Sequence, residues 1–342
     1  MKVSLFTPER LTEFDKSPYD GVAVAPLGPY DVTPVPSVAE IVSQINEIKR
    51  STKKDLWPWV NLKRLIGRDP DSDNKYGQDP YFYRIKGADL ENKTGAQDDF
   101  IHIWENSLRA ARDVHTPGIA VDLEFYSDYK AYDLVVLANQ VGKSPQETIL
   151  LLQRLGAQMA DAAAKEYPNA ILWFLFTDLG QWNDSAKGVR EYPSPAYIVI
   201  GLLDQVRAKH YALKVIDGGE VGIEYCSFSL QHLRNKMRGR DKDFAAHKEK
   251  YKESLELAGT MILYKDKVST TDFMTSGICS KCEAATVEDL QPYLETLLKT
   301  YRYNWVYASY YAGYDPFHPR SAPRFNAMIR KAEANAYGDS AN

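Results

Sequence analysis

GIAVDLEFY, residues 118–126, is the stretch on which the fold reading turns. Its side chains alternate across an extended chain, so Val121, Leu123 and Phe125 take one face and Asp122 and Glu124 the other. Such a strand fits a sheet whose apolar face is covered by helices and whose other face carries acids at its C-terminal end. Similar short runs, rich in β-branched and aromatic residues, occur on both sides of it. Before it come GVAVAPL (21–27), LWPWVNL (56–62) and YFYRIKG (81–87). After it come AILWFLFTDL (170–179), LKVIDGGE (213–220), GTMILYKD (259–266) and NWVYASYY (304–311).

Helical stretches of period 3.6 lie between these runs. SVAEIVSQINEIKR opens with Ser37 as N-cap and Glu40 three residues on, a capping-box pattern. The helix begun at Ser144 has Pro145 at its first position and Glu147 at its third. SPAYIVIGLLDQVRAKH and TVEDLQPYLETLLKTY start in the same way, and FNAMIRKAEANAY closes the chain. SLQHLRNKMRGRDKDFAAHKEKYKESLELA reads as one bent helix or two.

Strand–helix alternation argues for a parallel sheet, and eight such units argue for closure into a (β/α)8 TIM barrel. The expectation is therefore an α/β chain forming a single barrel domain over residues 1–342, with extended loops after the strands. The longest of these loops are 68–80 and 268–285. An open doubly wound sheet is the competing fold. It would carry a Gly-rich phosphate loop after an early strand, and neither GxGxxG nor GxxxxGK[ST] occurs.

Composition narrows the function classes. With 44% hydrophobic and 26% charged residues the chain has the material for a core, which excludes disorder. A net charge of -4 gives no basic footprint for nucleic acid. No apolar run approaches the length of a membrane span. The opening MKVSLFTPERLTEF lacks the apolar core of a signal peptide, which leaves the compartment open: a cytoplasmic chain, or a secreted or periplasmic one whose signal has been removed. Cys226 stands alone, and Cys279 and Cys282 read as free thiols or one local disulfide. Aromatic residues are abundant, with 23 Tyr and 6 Trp, and their apolar faces and polar tips suit hydroxyl-rich ligands.

In a barrel the C-terminal strand ends build the site. Asp122 and Glu124 end the fourth run, Asp178 the fifth, and Asp217 and Glu220 flank Gly218 and Gly219 after the sixth. At ~3.3 Å per residue, Asp122 and Glu124 lie about 6.6 Å apart along the strand, close enough for two ionised carboxylates to repel. Several acids at a barrel mouth point to glycosidic-bond cleavage, in which one carboxyl protonates the departing oxygen and another attacks the anomeric carbon or activates water.

The strand rhythm, the DLE of 122–124, the acidic end of the sixth run and the aromatic last run together resemble TIM-barrel glycoside hydrolases. The DxE pair looks like the tail of the chitinase-type DxxDxDxE signature, but Pro117 and Ala120 stand where that signature has acids. Barrels with catalytic acids on strands four and six, as in α-galactosidase-like enzymes, look closer. That layout implies Glu124 (or Asp122) and Glu220 (or Asp217) as the catalytic pair. We take Glu124 and Glu220, with Asp122 and Asp178 as tuning or binding partners.

The substrate-binding candidates complete the rim. They are Trp59, Asn61 and Lys63 around the second run, Arg84 and Lys86 in the third, and Trp182 beyond the fifth. Asp217, Tyr264, Lys265 and Tyr311 are the others. The basic residues among them suit an anionic sugar carrying sulfate or carboxylate. A carbohydrate is the expected partner, with no metal site and no cofactor. Two other readings stay open: a barrel that binds carbohydrate without cutting it, and a Mg²⁺-dependent enolase-type enzyme holding its ion on Glu124, Asp178 and Glu220.

Overall fold

The computed structural model describes residues 6–25, 35–61, 85–123, 129–180, 183–184, 190–220, 223, 229–262, 286–307 and 315–338. Seven strands form one parallel sheet. They are β1 (Gly21–Val24), β2 (Asp55–Asn61), β3 (Gly118–Asp122), β4 (Ile171–Phe174), β7 (Lys214–Asp217), β8 (Leu255–Ile262) and β9 (Tyr303–Tyr307), paired in that order. Two-residue strands β5 (Asn183–Asp184) and β6 (Arg190–Glu191) form a separate antiparallel ribbon after β4.

Helices fill the connections: α1 (Pro8–Lys16), α2 (Val38–Lys49), α3 (Gly87–Leu90), α4 (Ala96–Asp113), α5 (Leu134–Val141), α6 (Pro145–Glu166), α7 (Ser194–Lys209), α8 (Leu230–Lys250), α9 (Gln291–Thr300) and α10 (Ala322–Tyr337). The capping boxes at Ser37/Glu40 and Ser144/Glu147 form as the sequence predicts, with both reciprocal bonds present. Ser194 is the first residue of α7 rather than its cap. The long charged stretch is one helix, α8, capped by Ser229, whose side chain accepts from the His232 amide.

Two strand expectations need correction. YFYRIKG (81–87) does not supply a strand between the second and fourth runs, because β2 pairs directly with β3, Asn61 lying opposite Asp122. Tyr81–Arg84 are outside the described residues; beyond them, the Ile85 carbonyl accepts from Gln140 on α5 at 2.9 Å and Gly87 already begins α3. The described residues thus show seven strands in the parallel sheet where eight are expected. The second correction is to β8, which begins at Leu255, four residues before the expected start.

The outward face packs on the helices. Leu56, Val60, Ile119, Val121, Leu172, Phe174 and Val215 are all at most 3% exposed, each belonging to one of the two apolar clusters with helical residues. The alternate positions face the other way, and there the sheet is strongly concave. Trp173 on β4 meets Trp57 on β2 with ring centroids 5.6 Å apart and Tyr303 on β9 at 5.7 Å. In a flat sheet at ~4.8 Å per strand, β4 and β9 would be about 14 Å apart. The contact requires the sheet to curl into at least a half-barrel.

Segments before β1 and after β9 pack on each other. Arg10 on α1 pairs with the fully buried Asp315 at 2.8 Å, Phe14 packs edge-on to Phe317 at 4.9 Å, and Arg330 on α10 donates to the Lys16 carbonyl at 2.5 Å.

Candidate functional site

On β2, Trp57 and Trp59 share the concave face, since Leu56 and Val60 point to the helices. Register sets Trp59 beside Ala120 and Ala120 beside Trp173, which stands beside Ile216. On the other flank Ala258 lies opposite Tyr303 and Thr260 opposite Trp305. Small residues on β3 and β8 leave room for the large rings of their neighbours on the inside of the curl. Gly118 is forced: a Cβ there would lie 1.8 Å from the Ile171 carbonyl oxygen.

Exposure separates the two faces. The outward side chains of β2, β3, β4, β7 and β8 are buried, whereas Trp57, Trp59, Trp173, Tyr303 and Trp305 are only half-buried, as are the outward Val22 on β1 and Asn304 and Val306 on β9. The hollow is therefore lined with aromatic rings that solvent reaches. Three polar atoms on this face, Trp59 Nε1, Trp173 Nε1 and Thr260 Oγ1, are buried without a protein hydrogen-bond partner. Buried polar atoms of that kind are ordinarily satisfied by ordered water. Trp305 Nε1 donates to the Gly218 carbonyl at 2.8 Å, carrying its ring across β8 toward β7.

Acids stand at the C-terminal end of the hollow. Asp122 ends β3 and is fully buried; the alternation that sends Val121 to the helices sends Asp122 to the concave face. Asp178 follows β4, 4% exposed, in the left-handed region at φ 56°. Asp tolerates that conformation better than most residues, yet it remains a strained choice of the kind found at functional sites. Glu220 follows β7 in the next turn over, its amide donating to the Leu175 carbonyl at 3.1 Å.

Asp217 is placed differently from its sequence expectation as a substrate-binding residue. It shares its register position with Phe174, an outward residue, so it faces α8. There it makes a buried ion pair with Arg240 and accepts bonds on both oxygens, from the Gly219 amide at 2.9 Å and from the Thr177 amide at 2.8 Å and hydroxyl. Its place is in the framework under the rim. Lys86 also lies away from the hollow: it is exposed at the start of α3, and α3 packs on α5 so closely that a Cβ at Gly87 would lie 2.4 Å from the Val141 carbonyl oxygen.

Of the other sequence candidates, Trp59 lies on the concave face, and Asn61 holds the register position opposite Asp122. Glu124, Lys63, Arg84, Trp182, Tyr264, Lys265 and Tyr311 lie outside the described residues, as do Cys226, Cys279 and Cys282. The sequence reading missed Trp173, Tyr303 and Trp305. Alternation would have found them: with Leu172 and Phe174 outward, Trp173 must be inward.

Among the described residues no group of three or more His, Cys, Asp or Glu could hold a metal ion, and no helix is long and apolar enough to cross a membrane. No protein-family model, curated protein or solved structure matches this chain.

Proposed function

We propose that the protein is a glycoside hydrolase, acting on a poly- or oligosaccharide laid along the aromatic hollow. The observation that carries this is the asymmetry of the sheet. Its helix-facing side is sealed from β2 to β8, while its concave side presents half-buried Trp and Tyr rings with acids at the C-terminal rim. Ring faces suit the apolar faces of sugars. We take the curled sheet as a barrel that closes between its edge strands, β1 and β9.

The chemistry needs two carboxyl groups, one on either side of the scissile bond. We assign them to Glu220 and Glu124, with Asp122 and Asp178 beside them. One carboxyl donates its proton to the departing glycosidic oxygen. The other, ionised, attacks the anomeric carbon or takes a proton from the attacking water. The framework position of Asp217 removes it from the alternatives for the strand-seven acid. An anionic substrate would rest on Lys63, Arg84 and Lys265, since Lys86 belongs to the outer layer.

The same hollow would serve a barrel that binds glycans without cutting them, and one experiment separates the two. The protein is incubated with neutral, sulfated and uronate-containing polysaccharides, and new reducing ends are counted. The enzyme reading expects cleavage by the wild type, with Glu220→Gln keeping affinity and losing turnover at least a hundredfold. Binding with no cleavage of any glycan would leave the non-catalytic reading in its place. Cleavage confined to uncharged glycans would reject the anionic substrate.

A further inference from the structure

The strongest unexplained feature is a guanidinium buried beneath the rim. Arg240 is 3% exposed on α8, on the stripe of Leu233, Met237 and Phe244 that packs inward. Its guanidinium lies over the rings of Phe244 at 5.5 Å and Tyr301 at 5.4 Å. Nη1 donates to the Ala258 carbonyl at 2.6 Å, and Nη2 to the Asp217 carbonyl at 2.8 Å and to its carboxylate. The carboxylate in turn reaches two different turns. One oxygen holds the amide and hydroxyl of Thr177, the residue before Asp178, and the other holds the amide of Gly219, the residue before Glu220. The second turn is fitted to the guanidinium: Gly219 has φ 79°, and a Cβ there would come within 2.9 Å of Arg240 Nη1.

We propose that Arg240, acting through Asp217, is a positioning residue that fixes the turn bearing Asp178 relative to the turn bearing Glu220. The proposal rests on the reading of the rim acids as the reacting groups. A buried charge is costly to keep unless paired, and a framework role alone would be met by an apolar side chain of similar size. An ion pair with bonds to both turns instead makes each turn's position depend on the other. Arg suits the task because its planar fork reaches the Ala258 carbonyl and Asp217 together, which a Lys point charge would not.

The test uses the full chain and two readouts. Amide hydrogen exchange is followed in the wild type, Thr177→Val, Asp217→Asn and Arg240→Met. Thr177→Val removes one hydroxyl bond only and keeps the experiment interpretable if a charge variant fails to fold. The expected result is faster exchange, about tenfold or more, at residues 177–178 and 218–220 together, with β3 and α6 unchanged. Acceleration of one turn without the other, or of neither, overturns the coupling. The second readout is turnover of a panel of p-nitrophenyl glycosides. Thr177→Val is expected to lower kcat about tenfold with KM within twofold, and to displace the pH profile. Unchanged kcat and pH profile overturn the positioning role. If the wild type cleaves no glycan and no glycoside, the hydrolase reading falls by itself, while exchange still decides the coupling.

Discussion

Trp173 on β4 stands edge-on to Tyr303 on β9 at an interplanar angle of 75°, although β7 and β8 lie between their strands. The same indole meets Trp57 on β2 at 85°. Three strands spread across the sheet thus meet at one ring. A contact of that reach turns a sheet into a hollow, and it places the ring on the inner wall of that hollow.

Trp173→Ala is therefore expected to weaken glycan binding more than it weakens the fold. Truncating a central aromatic anchor costs about 2 kcal/mol or more in binding, roughly thirtyfold in affinity. The ring is half-buried, so the folding cost should stay below the roughly 3–5 kcal/mol typical of a sealed aromatic. Calorimetric titration with a bound oligosaccharide, alongside urea unfolding, reads both. Unchanged affinity would remove the aromatic hollow from the site.

Gly156→Ala should destabilise the protein, against the helical preference for Ala. On α6 a Cβ at Gly156 would lie 1.9 Å from the Ile198 carbonyl oxygen of α7, and one at Gly201 would lie 2.1 Å from the Gln153 carbonyl oxygen of α6. The two helices touch backbone to backbone at these glycines. In an exposed helix the exchange would gain up to about 1 kcal/mol. Here it must push the helices apart, at a cost of about 1–3 kcal/mol. Urea denaturation gives the sign directly.

The same positions show what the sequence reveals and where it stops. Caps at Ser37 and Ser144 are local chemistry, complete within four residues, and they form as read. Strands are legible where alternation is undisturbed, as at 118–122. The start of β8 is hidden because Leu255, Glu256, Leu257 and Ala258 are all good helix formers, and the strand arises only from pairing with β7 and β9. YFYRIKG looks like a strand by composition, yet no amount of local reading reveals that β2 and β3 close against each other. Asp217 shows a phase error: an acid at a strand end suggests a site, but counting from Val215 sends it outward to α8. A helix stripe of Leu233, Met237, Arg240 and Phe244 with one Arg in it was the legible sign of a buried partner.

Acid should weaken the fold through Glu166. Side-chain bonds from Arg109 and then Lys165 hold its carboxyl down to about 2, against 4.5 when unpaired. A carboxyl lowered in the folded state stabilises fully above its unfolded value, and that contribution is lost as pH falls from about 5 toward 2. With Arg109 at the helix surface, the contribution at pH 7 should be about 1 kcal/mol after screening by solvent. The urea midpoint of Glu166→Gln should lie below that of the wild type at pH 7 and converge with it near pH 2. A difference that persists at pH 2 would assign the effect to packing instead.

Arg240 and Asp217 should show strong non-additivity. Removing either partner leaves the other's charge buried among Phe244, Tyr301 and the turn carbonyls, a situation that costs about 3–5 kcal/mol. Removing both leaves no orphan charge, so Arg240→Met combined with Asp217→Asn should be less destabilised than the sum of the single changes, by about 1–3 kcal/mol. The rescue should be incomplete, because Thr177 and Gly219 lose the carboxylate that accepts from both. Unfolding free energies of the four proteins close the cycle. Additive values would mean that the two groups do not share one desolvated environment, and the coupling between the two turns would lose its physical basis.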